Sequence, residues 1–419
     1  MLFKAFEAAN MNFILKTYIA SSSDVIEATR SRIVLRDPSS NKQEYLGAFT
    51  FTNGTLDWTR STLTGFTQYN GSNKAWQISK AQIKGAKYYE YASFNDAESL
   101  RDYALRASDQ IIGSNFDDIL IGGELADHID GLDGSDRMIG EKGDDTYIVD
   151  NNNDIVVESK DEGTDTVRSS VTWILGDHLE NLELIGNNAI NGTGNNLKNK
   201  ITGNDFANVL DGGGDQDTLI GGKGSDTYII DHLQDKIIEV ASKTDVDTVL
   251  SSVTWTLGAN LEHLTLTGTS EINGTGNSAP NTIIGNAAKN LLDGGAGGKD
   301  RLTGGEGGDG FTFSSRPTKF LAADADVLTD FSSAQGDKIR LKRTAFGISP
   351  KTGSATLTFA STPTELAAEL ETASMFIYDT SEGHLYWNQN GVGANAGRGG
   401  VIAVLENKAT LSATDLILF

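Results

Sequence analysis

The chain contains no cysteine, which excludes disulfides, thiolate metal sites and a cysteine nucleophile together. Proline is scarce, five in 419 residues, so neither a proline-rich linker nor a collagen-like chain fits. Positive charge is also short: 34 Lys and Arg stand against 57 Asp and Glu, a net charge of -23. Such a chain is not built to track nucleic-acid phosphates or anionic lipid, and its natural partner is a cation. No apolar run approaches the ~18 residues of a membrane span, so no membrane insertion is expected. The segment Met1–Arg32 carries only the short apolar run Asn12–Leu15 and no small-residue cleavage site, so no Sec signal is expected there.

What is abundant is glycine, 47 residues, about 11 % against a usual ~7 %. Its distribution is periodic. Residues 146–226 reappear at 227–309: TYIVD at Thr146–Asp150 returns as TYIID at Thr227–Asp231, SSVTW at Ser169–Trp173 returns at Ser251–Trp255, and INGTGN at Ile190–Asn195 returns at Ile272–Asn277. Within each copy a nine-residue pattern runs, G-G-x-G-x-D-x-U-x with U apolar, in three blocks at 113–148, 194–229 and 276–312, the third with one inserted residue. The eighth positions are Leu120, Ile129, Met138, Tyr147, Ile201, Leu210, Leu219, Tyr228, Ile283, Leu292, Leu302 and Phe311. All are apolar in a chain that is 38 % hydrophobic, which chance would produce roughly once in 10^5, so the frame is real.

The pattern has a mechanical meaning. Glycines at positions one, two and four suit a six-residue turn with positive φ. Positions seven to nine then form a minimal strand whose middle side chain points inward. Two nonamers make one coil, so turn n is expected beside turn n+2. The fold class expected is all-β: a parallel β-roll or β-solenoid.

The sixth position carries the chemistry: Asp118, Asp127, Asp136 and Asp145 in the first block, Asn199, Asn208, Asp217 and Asp226 in the second, Asn281, Asn290, Asp300 and Asp309 in the third. Stacking would bring these oxygens and the turn carbonyls together, and the carboxylates would repel without a cation between them. Oxygen ligands without thiols and with only five histidines point to Ca²⁺, several ions per chain, over zinc or copper. Asp is also an ordinary turn former, but that does not explain the nine-residue phase. Asn at the first two turns of blocks two and three predicts weaker or vacant sites. Phe116, Leu125 and Phe206 also depart from the glycine preferred at position four.

These repeats resemble those of the RTX, or haemolysin-type calcium-binding, family, whose nonamers form a parallel β-roll with Ca²⁺ in the turns. After Phe313 the chain resembles the C-terminal domain that follows such repeats in serralysin-like secreted proteins. That resemblance implies that Asp326, Asp330 and Asp337 help to hold a further Ca²⁺. The final Asp415–Phe419, an acid and four apolar residues, is similar to the uncleaved C-terminal signal of type I secretion substrates, and a buried last strand would read the same way. The resemblance thus implies a type I exporter as partner and an extracellular, secreted or surface-associated location. Scarce cytosolic Ca²⁺ would leave so acidic a chain expanded, and extracellular Ca²⁺ would fold it.

The expected organisation is 1–110 as an N-terminal β domain or solenoid cap, 111–313 as the roll, with connecting segments continuing the solenoid in longer rungs, and 314–419 as the C-terminal domain. Strands are expected at Arg32–Arg36, Glu44–Thr52 and Thr55–Thr59 with a hairpin at Asn53-Gly54, and short helices at Asn95–Ala107 and after Thr362-Pro363-Thr364-Glu365. Trp173 and Trp255 are expected as core residues ahead of a sugar platform. Neither H-E-x-x-H nor G-x-S-x-G occurs, and the five histidines are scattered, so no catalytic residue is assigned. The reading is a non-enzymatic structural or adhesive component, a surface-layer, matrix or filament subunit, with further copies of itself or a cell-surface polysaccharide as partners. A secreted enzyme of glycan or ester chemistry and a host- or polymer-binding module are the alternatives.

Overall fold

In the computed structural model, residues 110–113, 115–315, 321–350, 353–388 and 399–419 are described in full, and five strands between Asp24 and Lys84 by their backbone. The chain forms two compact units, Met1–Thr202 and Gly203–Phe419. The division falls inside the second nonapeptide block.

In the first unit, strands Gln110–Ile112, His128–Asp130, Thr146–Val149, Thr166–Ser169, Asn181–Leu184 and Lys200–Thr202 stack in parallel in that order. A second sheet holds Ile119–Gly123, Arg137–Glu141 and Ile155–Val157. The chain alternates between them, so each coil is two nonamers: His128 pairs with Thr146 and Arg137 with Ile155, both one full coil further along. The backbone of Asp24–Ala28, Arg32–Arg36, Lys42–Thr52, Thr55–Asn70 and Asn73–Lys84 forms an antiparallel meander, joined to the first parallel strand where Ile78 faces Ile111. The expected N-terminal strands lie in it, and Thr52 pairs with Thr55 across 53–54, which themselves lie outside the described residues, as does the helix expected at Asn95–Ala107.

The second unit repeats the arrangement. One parallel stack runs through Val209–Asp211, Thr227–Ile230, Thr248–Ser251, His263–Leu266, Thr282–Ile284, Arg301–Thr303 and Asp326–Leu328, and the facing stack through Trp255–Thr256, Gly274–Thr275, Leu291–Asp293, Gly310–Phe313, Lys338–Leu341 and Leu416–Leu418. Strands Gly400–Leu405, His384–Trp387, Phe376–Asp379 and Leu357–Ala360 extend the first stack beyond the repeats. The helix after Thr362 forms at Pro363–Glu369, with the Thr362 hydroxyl accepting from the Glu365 amide at 3.2 Å. Leu366 and Leu370 are half-buried, while Ala373, expected on the same face, lies beyond the helix and is exposed.

The inward-pointing eighth position carries the core: all twelve of its residues are at most 1 % exposed. Burying each such side chain is worth about 1.5–3 kcal/mol. Coils as short as two nonamers offer no other interior, which is why a polar residue at position eight would be so damaging. The segments between blocks do continue the solenoid, but not simply with longer rungs. Thr146 pairs with Thr166, Thr166 with Asn181 and Asn181 with Lys200, and the same uneven steps recur from Thr227 to Thr248, His263 and Thr282. In each copy a coil longer than two nonamers is followed by one shorter than two. Trp173 and Trp255 lie on two-residue strands beside Gly192 and Gly274, Trp173 buried and Trp255 half-buried, their place being in the wall of the solenoid.

Candidate metal centres

Every sixth-position residue is buried, at most 3 % exposed, although each is an acid or an amide. The cause is the turn itself. The chain reverses over six residues, and the sixth side chain folds back over the first. A Cβ placed on Gly122 would come within 2.7 Å of the Asp127 carboxylate. Position one is therefore glycine for space, and the positive-φ reason offered for it from the sequence holds elsewhere in the turn, as at Gly143 and Gly224 in position four, with φ of 135° and 110°. The exceptions at position four are harmless: Phe116, Leu125 and Phe206 turn their side chains to solvent, 53, 47 and 40 % exposed.

Along each edge of a unit the sixth residues form a ladder. The amide of Asp118 donates to Asp136 Oδ1 at 2.8 Å, Asp127 to Asp145 at 2.6 Å, and Asp136 to Asp154 at 2.9 Å. In the second unit Asn208 donates to Asp226 at 2.8 Å, Asp217 to Asp235 at 3.0 Å, Asn281 to Asp300 and Asn290 to Asp309 at 2.8 Å. One carboxylate oxygen is thereby used. Among the described residues the other oxygen of Asp136, Asp145, Asp226 and Asp309 is buried with no hydrogen-bond partner.

A buried carboxylate with one bare oxygen is stable only if protonated or if a cation takes that oxygen. Burial, with Asp154 and Asp118 nearby, pushes Asp136 up to about 7. Burial likewise raises Asp226 to about 7, and Asp145 and Asp309 to about 6. The orphaned oxygens, all hard and none accompanied by sulfur, fit Ca²⁺. Asp118, Asp127, Asp217 and Asp300 occupy the same place in their turns.

The asparagine turns are built differently. Asn199, Asn208, Asn281 and Asn290 each accept the amide of an asparagine at position two, from Asn195 at 2.7 Å, Asn204 at 2.9 Å, Asn277 at 2.7 Å and Asn286 at 2.9 Å. Their own Nδ2 donates to oxygen: Asn199 to the Leu179 carbonyl at 2.9 Å, Asn281 to Leu261 at 2.9 Å, Asn290 to Ile272 at 2.6 Å, and Asn208 to Asn204 Oδ1 at 3.1 Å. Here an N–H group stands where the aspartate turns present a bare oxygen. The sequence predicts weaker or vacant sites at these four residues, and the turns they form are closed by their own side-chain amides. The recurring Gly-Asn start was a signal in the sequence that went unused.

The three C-terminal acids implied to help hold a further Ca²⁺ fall into two places: Asp330 and Asp337 both lie near enough to Asp309 to raise it, whereas Asp326 lies beside Asp300. Asp326 accepts from Asp300 N at 3.0 Å, and Asp337 accepts from Asp309 N at 2.8 Å, so these two prolong separate edges of the ladder. Asp330 instead holds the amides of Gly304 and Gly305 at 2.9 and 2.8 Å. Other rungs lie outside the nonamers, where no sequence pattern marks them: Asp154, Asp165, Asp235 and Asp247, all buried. The terminal acid Asp415 is buried as well, in an ion pair with Lys338 at 2.7 Å, and Leu416–Leu418 is a strand paired with Ile339–Leu341.

The arrangement defines a β-roll whose turns are made to hold hard divalent cations. The family model of the RTX calcium-binding nonapeptide repeat matches residues 104–124, 112–147, 121–156, 193–228 and 275–311. The chain thus carries RTX calcium-binding repeats, which are typical of secreted proteins. No curated protein and no solved structure matches the chain.

Proposed function

We propose that the protein is exported unfolded through a type I pathway, folds on meeting extracellular Ca²⁺, and then serves without catalysis as a structural or adhesive component at or outside the cell surface. The observation that supports this most is the ladder of buried carboxylates with unpartnered oxygens, since it makes folding conditional on a cation that is scarce inside cells and plentiful outside. The acid and four apolar residues of Asp415–Phe419 support export as well, through their similarity to a type I secretion signal. The parallel stacks repeated within each unit suit contact with copies of the protein or with a surface polysaccharide. The absence of protease and lipase motifs from the sequence favours this reading over an enzyme of glycan or ester chemistry.

Electron microscopy of the purified chain in millimolar Ca²⁺, and again after chelation, tests it. Sheets or fibres that form with Ca²⁺ and disperse without it are expected. Single particles in Ca²⁺ that turn over alginate, esters or casein would overturn it in favour of the enzyme.

A further inference from the structure

One group of buried acids joins a sixth-position aspartate to two acids outside the nonapeptide phase. Glu158 directly follows strand Ile155–Val157 and is only 8 % exposed. Its Oε1 accepts from the hydroxyl of Tyr147, a side chain wholly buried at position eight of its nonamer. Its Oε2 is buried without a partner among the described residues, and so is Oδ2 of Asp145, itself 1 % exposed. Asp165, also 1 % exposed, completes a trio whose ligand oxygens all lie within 4.8 Å of one another. Among the described residues no Lys, Arg or His pairs with any of the three. Gly140 forms the floor: a Cβ there would meet Tyr147, Asp145 and Glu158 together.

The duplication supplies a second copy. Asp226, Glu239 and Asp247 form the same trio, the Tyr228 hydroxyl donates to Glu239, and Gly221 takes the place of Gly140. Here Glu239 is half-buried and its other oxygen accepts the Val240 amide at 2.6 Å, while Asp226 Oδ2 is buried and unpartnered. The third block is an internal contrast. Position eight of its last nonamer is Phe311, packed on Phe331 with ring centroids 6.0 Å apart, and no such trio follows it among the described residues. Tyrosine and glutamate occur together, or neither does.

Three carboxylates at this separation cannot all be ionised in a dry site without an added cation. A neutral tyrosine hydroxyl fixes the glutamate but leaves the charge uncompensated. We propose that Asp145, Glu158 and Asp165, and separately Asp226, Glu239 and Asp247, form a second type of calcium site that closes a nonapeptide block, with Tyr147 and Tyr228 as the residues that position the glutamate. Such a site uses ligands from a nonapeptide turn and from both ends of the loop that links the next two strands, and so ties the regular coils of two nonamers to the longer, irregular coil that follows each of the first two blocks. It stands whether the protein is a scaffold or an enzyme.

The test is equilibrium dialysis of the full-length protein against Ca²⁺, with hydrogen exchange read along the chain. Glu158→Gln is expected to bind one ion fewer than the natural chain and to lose calcium-dependent protection at 140–166, while 113–136 keeps it. Glu239→Gln should do the same at 221–248, and the double variant should lose two ions. Tyr147→Phe should keep the count and raise the Ca²⁺ midpoint for protection at 140–166 several-fold. Should Glu158→Gln not fold, Glu158→Asp, which retains the charge but shortens the reach, is expected to fold in excess Ca²⁺ with a raised midpoint. An unchanged ion count in Glu158→Gln or an unchanged midpoint in Glu158→Asp would overturn the proposal and leave the glutamates as buried partners of tyrosine.

Discussion

The turns of 131–148 and those of 194–211 have the same length, yet they differ in backbone path, with positive φ at Leu132, Gly134, Glu141 and Gly143 in the first and at no residue of the second, and in what they need. In the first, Asp136 and Asp145 each present a bare buried oxygen. In the second, Asn199 and Asn208 present an N–H group at the corresponding place, and it donates to a nearby oxygen. Beyond the backbone, the ends of the two side chains, nearly alike in shape, differ in sign. The carboxylate oxygen needs a positive partner from outside, whereas the amide nitrogen brings two donors of its own. One solenoid therefore contains turns that wait for calcium and turns that do not.

The largest effect that could break this contrast is calcium removal. At a free Ca²⁺ concentration a hundred times the dissociation constant, each filled site stabilises by about 2.7 kcal/mol, roughly a hundredfold in local opening. Chelation should thus raise amide exchange on the order of a hundredfold at Asp127 and Asp136, and much less at Asn281 and Asn290. Equal losses in both classes would mean that the asparagine turns depend on the ion too.

Proton binding offers a second contrast. In the calcium-free folded chain Asp136 and Asp226 sit at about 7, above their ordinary value of 3.8. The folded state then binds protons more tightly than the unfolded state, so this stabilisation is complete below about pH 4 and lost as pH rises through 7. In EGTA, β-structure measured by circular dichroism should increase as pH falls from about 8 to 5, and the Ca²⁺ midpoint should be higher at pH 6 than at pH 8 as protons compete for the same oxygens. A pH-independent calcium-free spectrum would contradict it.

The smallest change is a single isosteric replacement. Asn281→Asp removes the donors to the Leu261 and Glu262 carbonyls, now at 2.9 and 3.3 Å, and should destabilise the calcium-free chain by about 1–3 kcal/mol, in part recovered by Ca²⁺. Asn281→Ala should lose the same bonds with no recovery. Denaturant unfolding with and without Ca²⁺ separates the two, and identical behaviour of both variants would sink the idea that the charge of the sixth residue lets a turn use Ca²⁺.

Much of this was open to reading before any coordinates. The nine-residue phase named the inward side chains from Leu120 to Phe311, and it placed the twelve sixth-position ligand candidates in turns stacked two nonamers apart. That the connecting segments continue the solenoid was legible as well. What escaped lay outside the phase. Asp154, Asp165, Asp235 and Asp247 join the ladder because coils of unequal length bring them into line, and no fixed spacing announces that. Glu158 and Glu239 were hidden because a lone glutamate after an apolar run reads as a solvated strand end. Asp326, Asp330 and Asp337 were grouped by resemblance, whereas the strand Asp326–Leu328 sets Asp326 beside Asp300 and only Asp330 and Asp337 come near Asp309.

The repeating pattern by itself determined the coil, its apolar interior and the ring of oxygens at its rim, because each follows from local turn geometry repeated at a constant period. Only the folded solenoid decided which of those oxygens lack a partner. Whether a carboxylate is left bare depends on the amides and carbonyls of the neighbouring coil, groups that every residue possesses and that no sequence distinguishes.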